Sequence, residues 1–143
     1  MEKKRIIFGV SLLLCIVLLT TYIASKEDIS SFIESKVIIT EQSNYVLKVT
    51  EATDSNIVYE IKNNTEDNLY FGVDYKLEKQ IDGKWMTYKL IVDFIDMKIT
   101  CLPKNTYSDS IDLSKTYGPL LKGKYRLIKN IKGQDISAEF NIK

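Results

Sequence analysis

Alternation of apolar side chains at every second residue is the feature that most constrains the fold of this chain. Ile136, Ala138, Phe140 and Ile142 alternate with Ser137, Glu139, Asn141 and Lys143. The same period occurs at residues 45–49, 57–61, 95–101 and 125–131, with residues 36–40 and 107–113 as further candidates. Clusters of turn-forming residues, such as those at 54–56, 63–65 and 103–105, lie between these segments. This pattern predicts an all-β fold of antiparallel strands, each with one wet face, in a sandwich or barrel.

A hairpin over residues 75–90, turning at Asp82 and Gly83, is the clearest local prediction. A two-residue turn would place Trp85, the only tryptophan, opposite Gln80 on the polar face. A three-residue turn with a glycine bulge would instead point Trp85 toward the core. We expect the bulged register, because a lone tryptophan in a small β domain is more often a core residue than an exposed one. An exposed Trp85 would be the best interface candidate in the chain.

The N-terminus has the composition of a targeting segment. Three cations occur among the first five residues, and the run of 19 residues from Ile6 to Ala24 carries no charge. This length is close to the ~20 residues that a membrane-spanning helix needs, and the preceding cations predict that the rest of the chain lies outside the cell membrane. Cleavage after Ala24 or Ser25 is the alternative, and it would give a secreted protein.

The predicted organisation has three parts. Residues 1–25 form the signal anchor or signal peptide, residues 26–35 form a polar stalk, and residues 36–143 form one β domain. The domain is long enough to bury one hydrophobic core.

Composition argues against catalysis and against several ligands. The chain has no histidine, which removes the commonest general base and metal ligand, and only two cysteines. Its net charge of +1 argues against nucleic acid as a partner. Asp93 and Asp96, like Asp109 and Asp112, are three residues apart, but in strands or loops such pairs do not share a face. We therefore predict a protein that is not an enzyme and has no metal or cofactor.

Three stretches carry a resemblance to a known family: residues 70–79 (YFGVDYKLEK), 82–85 (DGKW) and 117–127 (YGPLLKGKYRL). In order and spacing they resemble the bacterial immunoglobulin-like (Big-type) domains of cell-surface and secreted proteins in low-GC Gram-positive bacteria. The resemblance covers roughly residues 37–142 and implies an Ig-like Greek-key sandwich of about seven strands. Within it, Leu121-x-Gly123-x-Tyr125 is similar to a tyrosine corner, which implies that the Tyr125 hydroxyl hydrogen-bonds back across a connection between the sheets.

The function expected from these features is that of an extracytoplasmic binding module tethered to the membrane. Its partner would be another envelope protein or a cell-wall component. The alternative is an inhibitor of an extracellular enzyme such as a peptidase, which would present the loops at residues 63–69, 102–105 and 114–121. Candidate partner-binding residues are Trp85, Tyr70 and Tyr117, and candidate structural residues are Tyr125, Trp85, Gly83 and Gly123. Cys101, on an apolar strand face, is predicted to be a buried free thiol.

Overall fold

A computed structural model describes residues 29–41, 44–90 and 92–143. The chain divides into two compact units, Met1–Ser30 and Ser31–Lys143. The predicted signal anchor at residues 1–25 lies outside the described residues. Within the described ranges, no helix combines the length and the apolar character that a membrane span requires. The only helical element among them is the short 3₁₀ turn Ile29–Ser31.

The second unit consists of β-strands, and in its described part there are ten. They are β1 (Phe32–Glu34), β2 (Tyr45–Ala52), β3 (Asn56–Asn63), β4 (Leu69–Gly72), β5 (Lys76–Ile81), β6 (Lys84–Tyr88), β7 (Lys98–Cys101), β8 (Thr106–Asp112), β9 (Gly123–Ile131) and β10 (Gln134–Ile142). All the strand pairs are antiparallel. They form a five-stranded sheet in the order β1-β6-β5-β9-β10, a three-stranded sheet in the order β2-β3-β8, and the pair β4-β7. The prediction of an all-β, antiparallel fold is confirmed, although about seven strands was too low a number.

The core lies between the sheets and follows the alternation in the sequence. In β3, Ile57, Tyr59 and Ile61 are buried while the residues between them are only half-buried. In β9, Tyr125 and Leu127 are completely buried on the same face. Removing a large apolar side chain from water contributes roughly 1.5–3 kcal/mol, so these two strands supply much of the stability of the domain.

The segment after β1 crosses the five-stranded sheet from one edge to the other. β1 pairs with β6 at the first edge, and Ile39 forms a parallel bridge with Asp135 of β10 at the opposite edge. We call residues 35–41 the N-terminal crossing. Residues 32–34 fall within the predicted polar stalk (residues 26–35), but they form β1, and Phe32 is buried against Tyr88 with ring centroids 4.3 Å apart. The strand expected at residues 36–40 is reduced to the single bridge at Ile39, because the chain there crosses the sheet instead of running along an edge.

The hairpin of β5 and β6 has the two-residue turn, so the bulged register was the wrong prediction. Asp82 and Gly83 both have positive φ, 49° and 79°, as a type I′ turn requires. Trp85 therefore pairs with Gln80, and its side chain lies on the outer face of the sheet, where it is half-exposed. The local turn chemistry of Asp-Gly prevails over the general tendency of tryptophan to be buried.

The connection between β6 and β7 is longer than predicted. The alternation at residues 95–101 predicts a strand, but β7 begins only at Lys98, and Ile95 and Met97 are exposed. β7 pairs with β4. With only four residues, β4 is too short for alternation of apolar side chains to be recognised in the sequence. Cys101, in β7, is buried and free, as predicted.

Tyr125 makes the hydrogen bond that defines a tyrosine corner. Its hydroxyl donates to the carbonyl oxygen of Leu121 at 2.6 Å, four residues upstream, where the chain passes from the three-stranded to the five-stranded sheet. Gly123, between them, has a φ of 153°, and a Cβ there would lie 2.9 Å from Cε of Lys79. A glycine is favoured here at the entrance to β9, chiefly because other residues rarely adopt a φ of 153°.

Replacement of Tyr125 by phenylalanine tests whether this bond stabilises the connection. Tyr125→Phe keeps the buried ring but leaves the Leu121 carbonyl without its donor, so we expect the free energy of unfolding to fall by about 1–2 kcal/mol. Urea denaturation monitored by circular dichroism measures it. Tyr70→Phe, at an exposed tyrosine, is the matched control and should change stability by less than about 0.5 kcal/mol. Equal effects of the two variants would contradict a special role for the Tyr125 hydroxyl.

Candidate interaction surface

A buried ion pair lies on the outer face of the five-stranded sheet, opposite the hydrophobic core. The Glu78 carboxylate accepts two bonds from the Arg126 guanidinium, at 2.7 Å from Nε and 2.6 Å from Nη2. Its other oxygen accepts hydrogen bonds from the hydroxyls of Ser35, at 2.5 Å, and Thr87, at 2.8 Å. Glu78 has no exposed surface, and the N-terminal crossing supplies Ser35. Both carboxylate oxygens are thus satisfied, which a buried charge needs.

Trp85 is held over this ion pair. The centre of the Arg126 guanidinium lies 4.5 Å from the centroid of the Trp85 ring, and Nζ of Lys124 lies 5.7 Å from it. These are distances at which a cation is attracted to the face of an aromatic ring. We call the half-exposed surface formed by Gln80, Trp85, Lys124 and Glu139 the Trp85 face. Lys124 and Glu139 form an exposed ion pair there, at 2.6 Å.

Tyr70 lies on a different part of the domain, in β4. Its side chain is 43% exposed, and Nζ of Lys98 lies 3.9 Å from its ring centroid. Asn68 donates a long hydrogen bond of 3.4 Å to its hydroxyl. Tyr70 is thus an exposed aromatic residue on a small two-stranded sheet.

Tyr117 lies in a third region of the domain, an aromatic cluster that it forms with Tyr75 and Tyr88. Its ring centroid lies 5.0 Å from that of Tyr88 and 6.4 Å from that of Tyr75. Burial raises the pKa of the Tyr117 phenol, with further contributions from these two tyrosines. The cluster lines a cavity of about 240 Å³ together with Phe94 and Leu90. Tyr117 therefore makes contacts within the domain. Trp85, Tyr70 and Tyr117, the three candidate partner-binding residues, lie in three separate regions of the described residues.

Lys129 is also a buried charged residue, and it faces the core. Its Nζ donates to the carbonyl oxygen of Gly72 at 2.9 Å and lies 5.8 Å from the Tyr59 ring and 5.7 Å from the Phe71 ring. Burial lowers the pKa of Lys129 from its usual 10.5 to about 8, against the opposing field of Asp74 and Asp109. At neutral pH the core thus holds a cation that one carbonyl oxygen, two ring faces and the field of Asp74 and Asp109 stabilise.

Of the four carboxylates weighed for catalysis, Asp109 and Asp112 take part in local hydrogen bonds. Asp93 and Asp96 are exposed in the connection between β6 and β7. Asp109 accepts a hydrogen bond from the Tyr107 hydroxyl at 2.9 Å, and burial together with this bond raises the pKa of Tyr107 to about 12. Asp112 accepts from the hydroxyl and the amide of Ser114, which lowers its pKa. Across residues 29–41, 44–90 and 92–143, no three acidic or cysteine side chains are grouped as metal ligands.

The sequence pattern does not indicate that Glu78, Arg126 and Lys129 are buried, because charged side chains are usually exposed. The feature that would reveal the ion pair is the register of β5 and β9, which places Glu78 opposite Arg126. That register joins residues 48 positions apart, and a single sequence does not specify such a pairing.

Comparison with known proteins identifies the class of domain that this geometry represents. The family model of the bacterial Ig-like domain matches residues 34–141, nearly all of the described part of the chain. The protein therefore belongs to the bacterial Ig-like domain family, whose members are generally non-catalytic. No curated protein and no solved structure gives a significant match to the chain.

The Glu78–Arg126 pair gives a double-mutant prediction. Arg126→Met leaves Glu78 charged and buried, so we expect it to lower the free energy of unfolding by about 3–5 kcal/mol. Adding Glu78→Leu should recover most of that loss, because the unpaired charge is then gone. Chemical denaturation of the two single variants and the double variant measures the coupling.

The exposed pair of Lys124 and Glu139 on the same face is the matched control. The same cycle, made with Lys124→Met and Glu139→Leu, should give a coupling below about 1 kcal/mol, since water screens an exposed pair. A coupling at Glu78 and Arg126 as small as that of the control would show that the buried pair does not act as a unit.

Because Lys129 is buried, we expect its titration to raise the free energy of unfolding at alkaline pH. Because its pKa is about 8 in the folded chain and near 10.5 when unfolded, the unfolded chain holds more protons between these values. Lys129 alone should therefore raise the free energy of unfolding by roughly 2 kcal/mol from about pH 8 to about pH 10. Near and above about pH 10 the raised pKa values of Tyr59, Tyr75, Tyr107 and Tyr117 reverse the trend, since tyrosines in the unfolded chain ionise first.

Lys129→Met separates the two effects. It should remove the rise, leave the fall above about pH 10, and be neutral or stabilising at pH 7, because an apolar chain of similar volume replaces a buried cation. Denaturation curves at several pH values compare the variant with the parent chain. If the free energy of unfolding of the variant still rises between about pH 8 and about pH 10, a group other than Lys129 causes the rise.

Proposed function

We propose that this protein is a non-enzymatic interaction module of the cell envelope. In this proposal residues 6–24 tether it to the membrane, the Ig-like domain lies outside, and the Trp85 face binds another envelope protein or a cell-wall component. The observation that carries the proposal is the half-exposed Trp85 ring, held in place by Arg126 and Lys124 on the outer face of a sheet.

An aromatic side chain that is already fixed costs little entropy when a partner covers it. The Arg126 guanidinium under Trp85 is itself fixed by two bonds to Glu78, so the ring is supported by a rigid group. Tryptophan and arginine are the residues most enriched among those that dominate binding energy at interfaces. Gln80, Lys124 and Glu139 around the ring supply the polar rim that such interfaces have.

Photo-crosslinking in native membranes tests this assignment. A photoreactive phenylalanine derivative replaces Gln80, the residue paired with Trp85, in the full chain expressed in its own cells. We expect an adduct of one defined mass, and we expect Trp85→Ala to lower its yield at least about tenfold, as loss of a dominant interface residue does. The same probe at Tyr70 is the control and should give no such adduct. An adduct that forms equally from both positions, or independently of Trp85, would contradict the proposal.

The tether is tested separately by fractionation. The full chain of 16.5 kDa, retained in membranes after alkaline extraction, is the expected result. A shorter species in the medium, beginning near Ser25 or Lys26, would instead favour a secreted protein.

The inhibitor function is a second candidate, supported by one observation. Two of the three loops proposed for it are joined: Lys104 donates through its amide to the Thr65 carbonyl and through Nζ to the Asn64 carbonyl. Asn63 links the same loops through its amide nitrogen to the Leu102 carbonyl at 3.1 Å. Such a rigid pair of loops is what insertion into an enzyme cleft requires. Unchanged rates across a panel of extracellular peptidases, with the domain in excess, would exclude it.

A further inference from the structure

The connection between β6 and β7 presents apolar side chains to solvent. Ile95 is 71% exposed, and Leu90 and Met97 are nearly half exposed. No other connection of the described chain exposes three large apolar residues within eight positions. Single exposed apolar residues are common, but clustered ones mark interaction sites. This cluster therefore indicates a surface that contacts another molecule or a membrane.

The base of this connection packs against the domain. The Phe94 ring packs edge-on against Tyr75 with centroids 5.0 Å apart. Val92 and Phe94 line the aromatic cavity from this side, so they are half-buried while Ile95 points away. Ile95 is thus exposed on an anchored segment, while Leu90 lies at the rim of the cavity with nearly half of its surface exposed.

The chain enters the domain beside this same connection. The amide of Lys89, the first residue after β6, donates to the Ser31 carbonyl at 2.8 Å. Ser31 is seven residues after Ala24, the end of the predicted membrane segment. Seven extended residues span at most about 25 Å, so a bilayer that holds residues 6–24 is within reach of this end of the domain.

Charge does not direct this surface toward an anionic partner. Asp93 and Asp96 are exposed in the connection, and Lys89 and Lys98 flank it, so the four charges cancel. Contact with lipid would therefore depend on the apolar side chains, as for other proteins that dip into the interface between head groups and acyl chains.

We propose that Leu90, Ile95 and Met97 insert into the outer surface of the lipid bilayer and hold the domain against the membrane. This inference rests on the membrane tether put forward under Proposed function. It assigns the connection to the bilayer, while the Trp85 face stays available for the partner.

Site-directed fluorescence on the full chain in phosphatidylcholine vesicles tests it. Ile95→Cys, in a Cys15→Ser background, carries an environment-sensitive dye, and an unsubstituted background chain measures labelling of the buried Cys101. Leu102→Cys is the matched control, since Leu102 is also exposed, at 55%, but follows the other end of β7. Nitroxide-labelled lipids then report contact with each dye, and vesicle flotation reports whether the chain is bound at all.

Quenching of the dye at position 95 but not at position 102 is the expected result. Met97→Ser should lower the quenching at 95 about fivefold, because it removes exposed apolar area that lipid would cover. The quenching should be unchanged by salt and by anionic lipid, since no net charge contributes.

The contrary outcomes separate the two proposals. A chain that floats with vesicles while neither dye is quenched overturns the insertion and leaves the tether in place. Equal quenching at 95 and 102 also overturns it, because the domain then lies on the bilayer without preference for this connection. A chain that does not float overturns the tether, and with it the inference.

Discussion

The buried ion pair between Glu78 and Arg126 joins parts of the chain that are remote in sequence. Glu78 belongs to β5, Arg126 to β9, and the remaining carboxylate oxygen is satisfied by Ser35 of the N-terminal crossing and Thr87 of β6. A buried carboxylate tolerates no missing donor, so all of these elements must be in register at once. The pair contributes less to net stability than its Coulomb energy suggests, because desolvation offsets it, but it selects one arrangement of the crossing over the sheet.

The sequence predicts those features of the fold that depend on local patterns, namely most of the long strands and the hairpin turn. The period of two places β2, β3, β8, β9 and β10 within a few residues of their bounds, because each of these strands has one face on the core. Asp82 and Gly83 mark the hairpin turn, since few residues accept positive φ at both positions. The resemblance to bacterial Ig-like domains identified the family, which the match over residues 34–141 shows. Low-GC Gram-positive origin stays a prediction.

What the sequence could not predict depends on contacts between distant segments. The register of Trp85 was missed because burial statistics were given more weight than the turn geometry, which alone sets which face the residue occupies. β1 and β4 are too short for a period to be visible, and each exists only because a partner strand is adjacent. The buried cation of Lys129 contradicts every rule based on hydropathy. Its hydrogen bond to Gly72 crosses 57 positions, and only tertiary structure reveals such a partner.

The candidate recognition surface does not depend on whether the N-terminus is cleaved. Ser35 bonds Glu78, Glu78 fixes Arg126, and Arg126 supports the Trp85 ring, so the position of the ring depends on the crossing at residues 35–41. Processing near Ala24 or Ser25 would remove residues before this chain of contacts begins. A tethered form and a released form would therefore present the same Trp85 face and would differ in the distance over which they can reach a partner. By contrast, the proposed contact of Leu90, Ile95 and Met97 with lipid would gain most from a tether, because a tether would keep these side chains within reach of the bilayer at no further cost in translational freedom.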